Sequence, residues 1–592
     1  MKRNSIFTWA LIGATALLMP SCGDFFDQES DRVIYADQEH LNNATDTIYS
    51  VTGILNKLQA ISDRTILLGE LRGDLVDVNT NASSDLRDIS LFNIGDDNIY
   101  NSPRDYYAII NNCNYFIAKA DTALKNNRNQ YIFMKEYAAV KAYRAWTYLQ
   151  LALNYGEVPF VTEPILTKAE ADQQYEKKGI QEICNYFIND IAPLATQQMP
   201  QYGEIRNTDS RFFYFPIYVL LGDLNLWAGN YREAALCYYS YIDTRNGTSG
   251  SYPMQSVFQV TWDREDSHWM KTRSISYYST FMIEAYSDGS GELITMIPGD
   301  SIPSEGNYSE LRNIFNSTSY NDYKPSVEPS QAIIDLSAAQ KYCHLTSSKE
   351  VMYAPEGLDN NRTGDLRLSA IWETGSGLTY IIDGKKIEDY QTILKYSTRN
   401  VHIYRRTMVY LRMAEALNRA GFPQVAFAIL KTGINNNVMQ SLISTYYPDE
   451  EAYLSQFNFS NAQYKLTTAD ALSDENTNGL HSRGSGWTEY NDYYVMPDDT
   501  TLTGTERLNY QILGVEDLIM DEEALEFVFE GYRFYDLMRV ALRRGDPAYL
   551  ADRIYKRRGA DKVDEMKTEI KNNLYDTRSW YLNWNDQIGL GY

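Results

Sequence analysis

The sequence predicts a mainly α fold: a tetratricopeptide-like scaffold of helical hairpins, interrupted by a loop-rich lobe with a few short strands. Three observations lead there. Between about residues 41 and 242, apolar residues recur at helical spacing. Two segments about 190 residues apart, LLGDLNLWAGNYREAALCYYSYI (220–242) and YLRMAEALNRAGFPQVAFAIL (410–430), share small residues and aromatics around a tight Ala-Gly turn. Between them, from about 246 to 400, glycine, serine and asparagine become frequent and the helical period fades.

In chain order, Tyr106, Ile110, Cys113, Ile117, Ala120 and Leu124 trace one face of an amphipathic helix. Asn101-Ser102-Pro103 opens it, since proline suits a first helical turn. Met134, Ala138, Ala142, Ala145, Leu149 and Ala152 form the next face, which ends at Tyr155-Gly156. The two helices make an antiparallel hairpin, followed by the extended, proline-marked EVPFVTEP. Ile180, Cys184, Phe187, Ile191 and Leu194 give another helix. In the two related segments the turns are Ala228-Gly229 and Ala420-Gly421, with Ala234-Ala235 and Ala426 at the close-packed positions. Such units cannot bury their faces alone and must stack, so the two copies belong to one scaffold with a long insertion. Strand-like runs occur at 274–279, 378–382 and 390–396, and a second irregular stretch covers about 444–513.

The chain opens MKRNSIFTWALIGATALLMPSC: Lys2 and Arg3, an apolar run at 6–19 too short to span a bilayer comfortably, then small residues and Cys22. This reads as a lipoprotein signal peptide, with Cys22 diacylated as the mature N-terminus; the alternative is ordinary cleavage near Ser21. No later run is apolar enough for a transmembrane helix, so attachment is expected through lipid. A formal charge of −24 and a pI near 4.7 argue against nucleic acid as a partner. Cys113, Cys184, Cys237 and Cys343 are far apart with no CxxC pair; the first three sit in helical stripes and read as small core residues. Tyrosine is the outlier at 49 residues, offering a flat apolar face with a polar tip to cores and wet binding surfaces alike.

The stretch EEALEFVFEGYRFYDLMR (522–539) organises the far end. Leu525, Val528, Phe529 and Tyr532 recur at helical spacing, with Glu526, Glu530, Arg533, Asp536 and Arg539 at i,i+3 and i,i+4 intervals around them. These groups are expected to form a structural ion-pair network, along one helix or to neighbours. Arginine stays protonated, the stripe looks like core, and no histidine or cysteine stands nearby. Gly531 either admits another backbone or breaks the helix.

This stretch resembles the C-terminal signature of the SusD/RagB family, surface nutrient-binding lipoproteins of Bacteroidetes. Glu522, Glu526, Phe529, Glu530, Gly531, Arg533, Asp536, Leu537 and Arg539 fall on its pattern, whereas Glu523 and Ala524 stand where the family has basic residues. The run from Tyr107 to Asn114 and the segment KAYRAWTYLQLALNYGEVPFVTEP resemble the family's N-terminal half, and GDFFDQES after Cys22 resembles its mature start. The closing WYLNWNDQIGLGY departs from the family's tail, though its aromatics are expected to pack. The resemblance implies a signal peptide over 1–21, a SusD-like helical region over 22–245, a loop-rich ligand-binding lobe over 246–400 and a C-terminal region over 401–592. It implies a binding protein that passes an oligosaccharide, or in some relatives a peptide, to a SusC-like TonB-dependent transporter in the outer membrane.

No HExxH, GxSxG, P-loop or Rossmann fingerprint is present, and the five histidines are scattered without partners at metal spacing. Asp474, Asn476 and Asn478 match the first half of a calcium loop, but Ser485 replaces the closing glutamate, so an Asx-rich turn is the expectation. No metal, cofactor or catalytic residue is assigned. A glycosidase carboxylate pair is the alternative from another class, and an intracellular tetratricopeptide adaptor a third that the signal peptide opposes. For the ligand site, the resemblance points to the loop before the helix of Tyr107 and to loops of the interrupting lobe. The expected residues are Arg72, Asp74, Asn98, Tyr100 and Asn101 from the first, and Trp262, Trp269, Tyr277, Tyr278 and Tyr286 from the second. Tyr100 and Trp262 are the expected platforms and Arg72 a polar contact, while Trp372 is assigned to the framework.

Each buried acyl methylene contributes about 0.8 kcal/mol to membrane attachment. Cys22→Ala should therefore release the protein from membranes and abolish palmitate incorporation. Equal membrane retention of the variant would contradict the lipoprotein reading.

Overall fold

The computed structural model describes residues 44–205, 208–244, 259–262, 270–273, 292–299, 308–340, 343–345, 351–353, 364–382, 385–459, 479–485 and 495–584. Cys22, Trp269, Tyr277, Tyr278, Tyr286, Asp474, Asn476, Asn478 and the run 274–279 lie outside them.

The first half is helical: α1 (Ala44–Gln59), α2 (Ser62–Glu70), α3 (Ser84–Ser90), α4 (Pro103–Lys119), α5 (Met134–Tyr155), α6 (Ile180–Ile191), α7 (Ile217–Ala228) and α8 (Tyr231–Thr244). α4 and α5 form the expected hairpin, with α5 ending at Gly156 in a positive-φ conformation. α4 stops at Lys119, one turn short of the apolar stripe, because the chain turns extended at Ala120 and enters the hairpin loop closed by Lys125 and Tyr131. Val158–Pro159 pairs with Lys177–Lys178, so EVPFVTEP is extended as its prolines require. α7 and α8 meet at Gly229 in the left-handed conformation, a cap that glycine adopts without penalty.

The interrupting segment contributes α9 (Leu311–Phe315), α10 (Gln331–Ala339) and α11 (Arg367–Ile371), which the fading periodicity concealed. Its strands are short apart from the hairpin of Trp372–Ile382 with Lys385–Ile393, which contains the expected run 378–382 and the first part of 390–396, whose last residues, Leu394–Tyr396, form a 3-10 turn. Leu293–Ile297 pairs with Val401–Arg405, both fully buried, and Val76–Val78 pairs with Val327–Pro329, tying the N-terminal half to the insertion. Trp372 sits in the framework as expected, its indole N–H donating to Gln391 Oε1 at 3.3 Å.

The chain then resumes its scaffold. α12 (Arg406–Arg419) packs directly on α8, and α12 with α13 (Pro423–Leu430) repeats the α7–α8 hairpin. The two related segments thus stack across the insertion, and the tetratricopeptide-like architecture stands. After α14 (Asn436–Tyr446), the long α15 (Gly504–Phe527) has its first ten residues inside the stretch read as irregular. α16 (Arg533–Arg544), α17 (Ala548–Tyr555) and α18 (Val563–Glu569) complete the fold. Near the end, Trp580 is buried and Trp584 packs edge-on to Tyr107 and Tyr155. Cys113 and Cys184 are buried free thiols and Cys237 a half-buried one, in keeping with their helical stripes.

The stretch 522–539 is two helices, not one. α15 ends at Phe527, Phe529 and Gly531 take positive φ (73° and 81°), and α16 starts at Arg533. Both readings of Gly531 hold: it breaks the helix, and it admits another backbone. A Cβ on Gly69 would fall 1.7 Å from the Gly531 carbonyl oxygen, so α2 and this turn touch through two glycines. The exposed N–H groups are met by Glu70: those of Phe529 and Gly531 donate to its two carboxylate oxygens, each at 2.8 Å.

The ion pairs run mainly between segments distant in sequence. Glu526 accepts from Arg405 (2.7 Å) and Arg367 (2.8 Å), Glu530 from Arg405 and Lys395, and Glu522 from Arg367 (2.6 Å). Arg533 grips Asp74, and Arg539 spans Glu415 and, within its own helix, Asp536. Burial pushes the Glu526 carboxyl up, yet Arg483, Arg405 and Arg367 hold it well below the usual carboxylate range. One expectation is corrected: His481 is brought from 41 residues away to lie 2.7 Å from Glu522.

Replacing Glu70 by Gln puts an amide N–H₂ against a buried backbone N–H that needs an acceptor. Glu70→Gln should cost about 1–3 kcal/mol in denaturant unfolding, and Gly69→Ala at least as much through overpacking. Parent-like stability in both would contradict this account of the turn.

Candidate ligand-binding surface

Two neighbouring residues in the first turn of α2 gather two loops. Asp63 accepts from the Ser309 hydroxyl (2.7 Å) and the Glu310 N–H (2.8 Å), fixing the segment at Tyr308. Arg64 donates to the Ser102 carbonyl (3.1 Å) and pairs with Asp105, fixing the start of α4 just after Tyr100. Residues 246 positions apart are thereby held on one stretch of surface.

On the first side the loop is stapled by its own amides. Asn98 donates to the Asp85 carbonyl and accepts from the Tyr100 N–H, both at 3.0 Å. Asn101 donates to the Gly95 carbonyl (3.1 Å) and accepts from the Tyr155 hydroxyl (2.9 Å). Tyr100 is half-buried against the core, and burial with nearby Asp63, Asp85 and Glu310 pushes its phenol well up, so it stays a neutral donor.

On the second side, Tyr320 is 69 % exposed at the tip of a turn that its own polar residues build. Thr318 N–H donates to Asn321 Oδ1 (3.0 Å) and Asn321 donates to the Asn316 carbonyl (2.7 Å). Asp322 and Tyr323 follow with positive φ, 51° and 63°. Such conformations persist only where surrounding bonds impose them, and they concentrate at binding sites. The Tyr308 and Tyr320 rings lie 6.3 Å apart, tilted by 57°. The Arg399 guanidinium stacks 3.5 Å from the Tyr308 centroid and 5.8 Å from that of Tyr320, and donates to the Ser309 carbonyl at 2.7 Å. This couples flat apolar faces to a fixed planar donor, the combination that shields one side of a ring and bonds its edge.

Arg72 and Asp74 are corrected from ligand contacts to framework. Arg72 is 1 % exposed, donates to the carbonyls of Leu68 and Trp580 and to Asn154, and stacks on Phe534 at 4.1 Å. Asp74 is buried against Arg533, whose Nε and Nη2 lie 2.6 and 3.0 Å from its oxygens. Asn98 and Asn101 are buried and shape the loop that presents Tyr100. Trp262 ends a strand, Gln259–Trp262, paired with Met270–Arg273. Sequence reasoning missed Tyr308, Tyr320, Arg399 and Asp63. Their signal is tyrosine inside Asn/Ser/Gly-rich runs (GNYSEL, STSYNDY) that carry no apolar period.

No protein-family model and no curated protein matches the chain. Solved structures do. A SusD superfamily protein from Bacteroides vulgatus superposes with a TM-score of 0.56 at 15% identity, covering 91% of this chain and 95% of that one. A SusD superfamily protein from Bacteroides thetaiotaomicron gives 0.52 at 16%, covering 84% and 89%. A SusD-like carbohydrate binding protein from Bacteroides fragilis gives 0.52 at 12%, covering 85% and 88%. The chain has the fold of these SusD-like proteins.

Half-buried Asp63 should titrate late: burial raises its pKa from 3.8 to about 6 against its bonds to Ser309 and Glu310. A raised folded pKa means the native state keeps a proton that the unfolded chain has lost. Stability from this group is therefore present at low pH and falls as pH rises through that window. Relative to Asp63→Asn, the parent should lose about 1–2 kcal/mol between pH ~4 and ~7, allowing for the side chain's contact with water. A pH-independent difference between the two would contradict this.

Proposed function

We propose that this protein is a cell-surface binding protein that captures an oligosaccharide and delivers it, without chemistry, to a SusC-like TonB-dependent transporter. The observation that carries the reading is the Tyr308–Tyr320–Arg399 platform, whose segment is held by Asp63 while the neighbouring Arg64 fixes the helix start after Tyr100. A pyranose presents C–H groups on one face and hydroxyls at its edge, which suits tyrosine faces flanked by a guanidinium and a phenol. Trp262, at the end of its strand, is proposed as a further platform. The SusD-like fold, shared with a carbohydrate binding protein, supports the same ligand class. Among the described residues no helix is long and apolar enough to cross a membrane, and attachment is assigned to lipid on Cys22. The transporter partner and the outer-membrane location rest on the family resemblance. A peptide ligand is the second reading, because Arg399 and the tyrosines would also serve an acidic or aromatic peptide.

Calorimetry against an oligosaccharide panel tests this. A preformed, open surface should bind its ligand with Kd on the order of 1 µM to 1 mM. Tyr308→Ala and Tyr320→Ala should each lose about 1–3 kcal/mol of affinity, by analogy with base stacking on aromatics. Exposed Tyr320→Ala should melt like the parent. No reducing ends should accumulate on prolonged incubation. Unchanged affinity in both variants would contradict the placement, and steady product release abolished by one carboxylate substitution would favour a glycosidase.

A further inference from the structure

A second cavity lies where the ends of α5 and α7, the start of α6 and the outer side of α16 converge. It is an open cleft of about 740 Å³ and shares no residue with the surface around Tyr308. That volume is in the range of small-molecule sites, about 300–1,000 Å³, and too confined for a protein domain. Four rings line it, Tyr155, Trp227, Tyr231 and Tyr581, of which Trp227, Tyr231 and Tyr581 keep part of their surface open. In a chain of net charge −24, its charged lining is three arginines and a single glutamate, Glu157.

The arginines differ in what they have left to offer. Arg539 is spent on Glu415 and Asp536. Arg543 uses only Nη2, donating to Glu415 (2.6 Å) and Glu516 (2.9 Å); its side chain is 7 % exposed, and Nε and Nη1 have no acceptor among the described residues. Buried donors without partners are rare in folded proteins and costly, so an acceptor from outside is the natural complement. Arg578 stands at the rim with a 90 % exposed side chain, paired to Asp576 in water, where such a pair exchanges readily. α6, a helix of 12 residues, opens at Gly179 on the same cleft and adds the positive end of its dipole.

We propose that this cleft is a second ligand site that takes a carboxylated pyranose of the hexuronic acid class. The sugar face lies on Trp227 and Tyr231, and the carboxylate accepts from Arg543 and takes the place of Asp576 on Arg578. Charge-assisted bonds of guanidinium to carboxylate are about twice as strong as neutral ones, so the acid group decides the selectivity. The assignment stands whether or not the Tyr308 surface binds glycan.

The test titrates D-glucuronate, with methyl β-D-glucopyranoside as neutral control, into the purified protein by calorimetry. Arg543 is embedded in the buried network, so the variants are Leu542→Trp, which fills the cleft from a position 41 % exposed, and Arg578→Glu at the rim. Glucuronate should bind saturably and at least about tenfold tighter than the neutral glycoside. Each variant should weaken glucuronate at least about tenfold while melting like the parent, and Tyr308→Ala should leave it unchanged. If Leu542→Trp alone misfolds, exposed Arg578→Glu decides. Absence of saturable glucuronate binding, equal binding of the neutral glycoside, retained affinity in the variants, or loss through Tyr308→Ala would overturn the proposal.

Discussion

The Glu70 carboxylate, bonded to the N–H groups of Phe529 and Gly531, is the constraint on which most of this architecture depends. It joins positions about 460 residues apart. The turn it holds sets α15 and α16 at an angle that no continuous helix would give. That angle lets Glu526 and Glu530 reach Arg367, Lys395 and Arg405, while Arg533 and Arg539 reach Asp74 and Glu415. Each of these pairs ties the C-terminal helices to a different part of the chain. Removing one partner from a buried pair typically costs about 3–5 kcal/mol, because the other charge is left behind in low dielectric. The network therefore specifies one arrangement of the segments more than it adds net stability. Glu523 marks its limit: buried, with neither oxygen hydrogen-bonded among the described residues, it is pushed well up by burial and the neighbouring carboxylates.

The scaffold was legible in the sequence because helix faces are written locally. Ala228-Gly229 and Ala420-Gly421 announced two hairpins, and α8 stacks on α12 although the insertion separates them. The break inside 522–539 was half-legible. Leu525, Val528, Phe529 and Tyr532 keep helical spacing whether or not the helix continues, and only Gly531 signalled otherwise. The partners of the acids, His481 among them, could not be read, since nothing local encodes a contact over 40 or more residues.

The candidate surface was read less well, for a physical reason. Matching Arg72 and Asp74 to a family position says nothing of burial, and both proved to be braces that hold the N-terminal loop to α16 and the closing residues. Tyr308 and Tyr320 were hidden among 49 tyrosines until Asp63 and Arg64 were seen to draw their loop and that of Tyr100 together. The division of labour is clear in the structure. Buried Arg72 braces backbone carbonyls and buried Arg367 and Arg405 pair with Glu526, while Arg399 and Arg578 retain contact with water.

Amide hydrogen exchange on the whole chain, with and without an oligosaccharide that it retains, tests the central claim most directly. The account predicts slowed exchange at 98–101, 308–310 and 318–323, with the 528–532 turn equally protected in both states. Protection confined to other segments, with these three unchanged by saturating ligand, would contradict it.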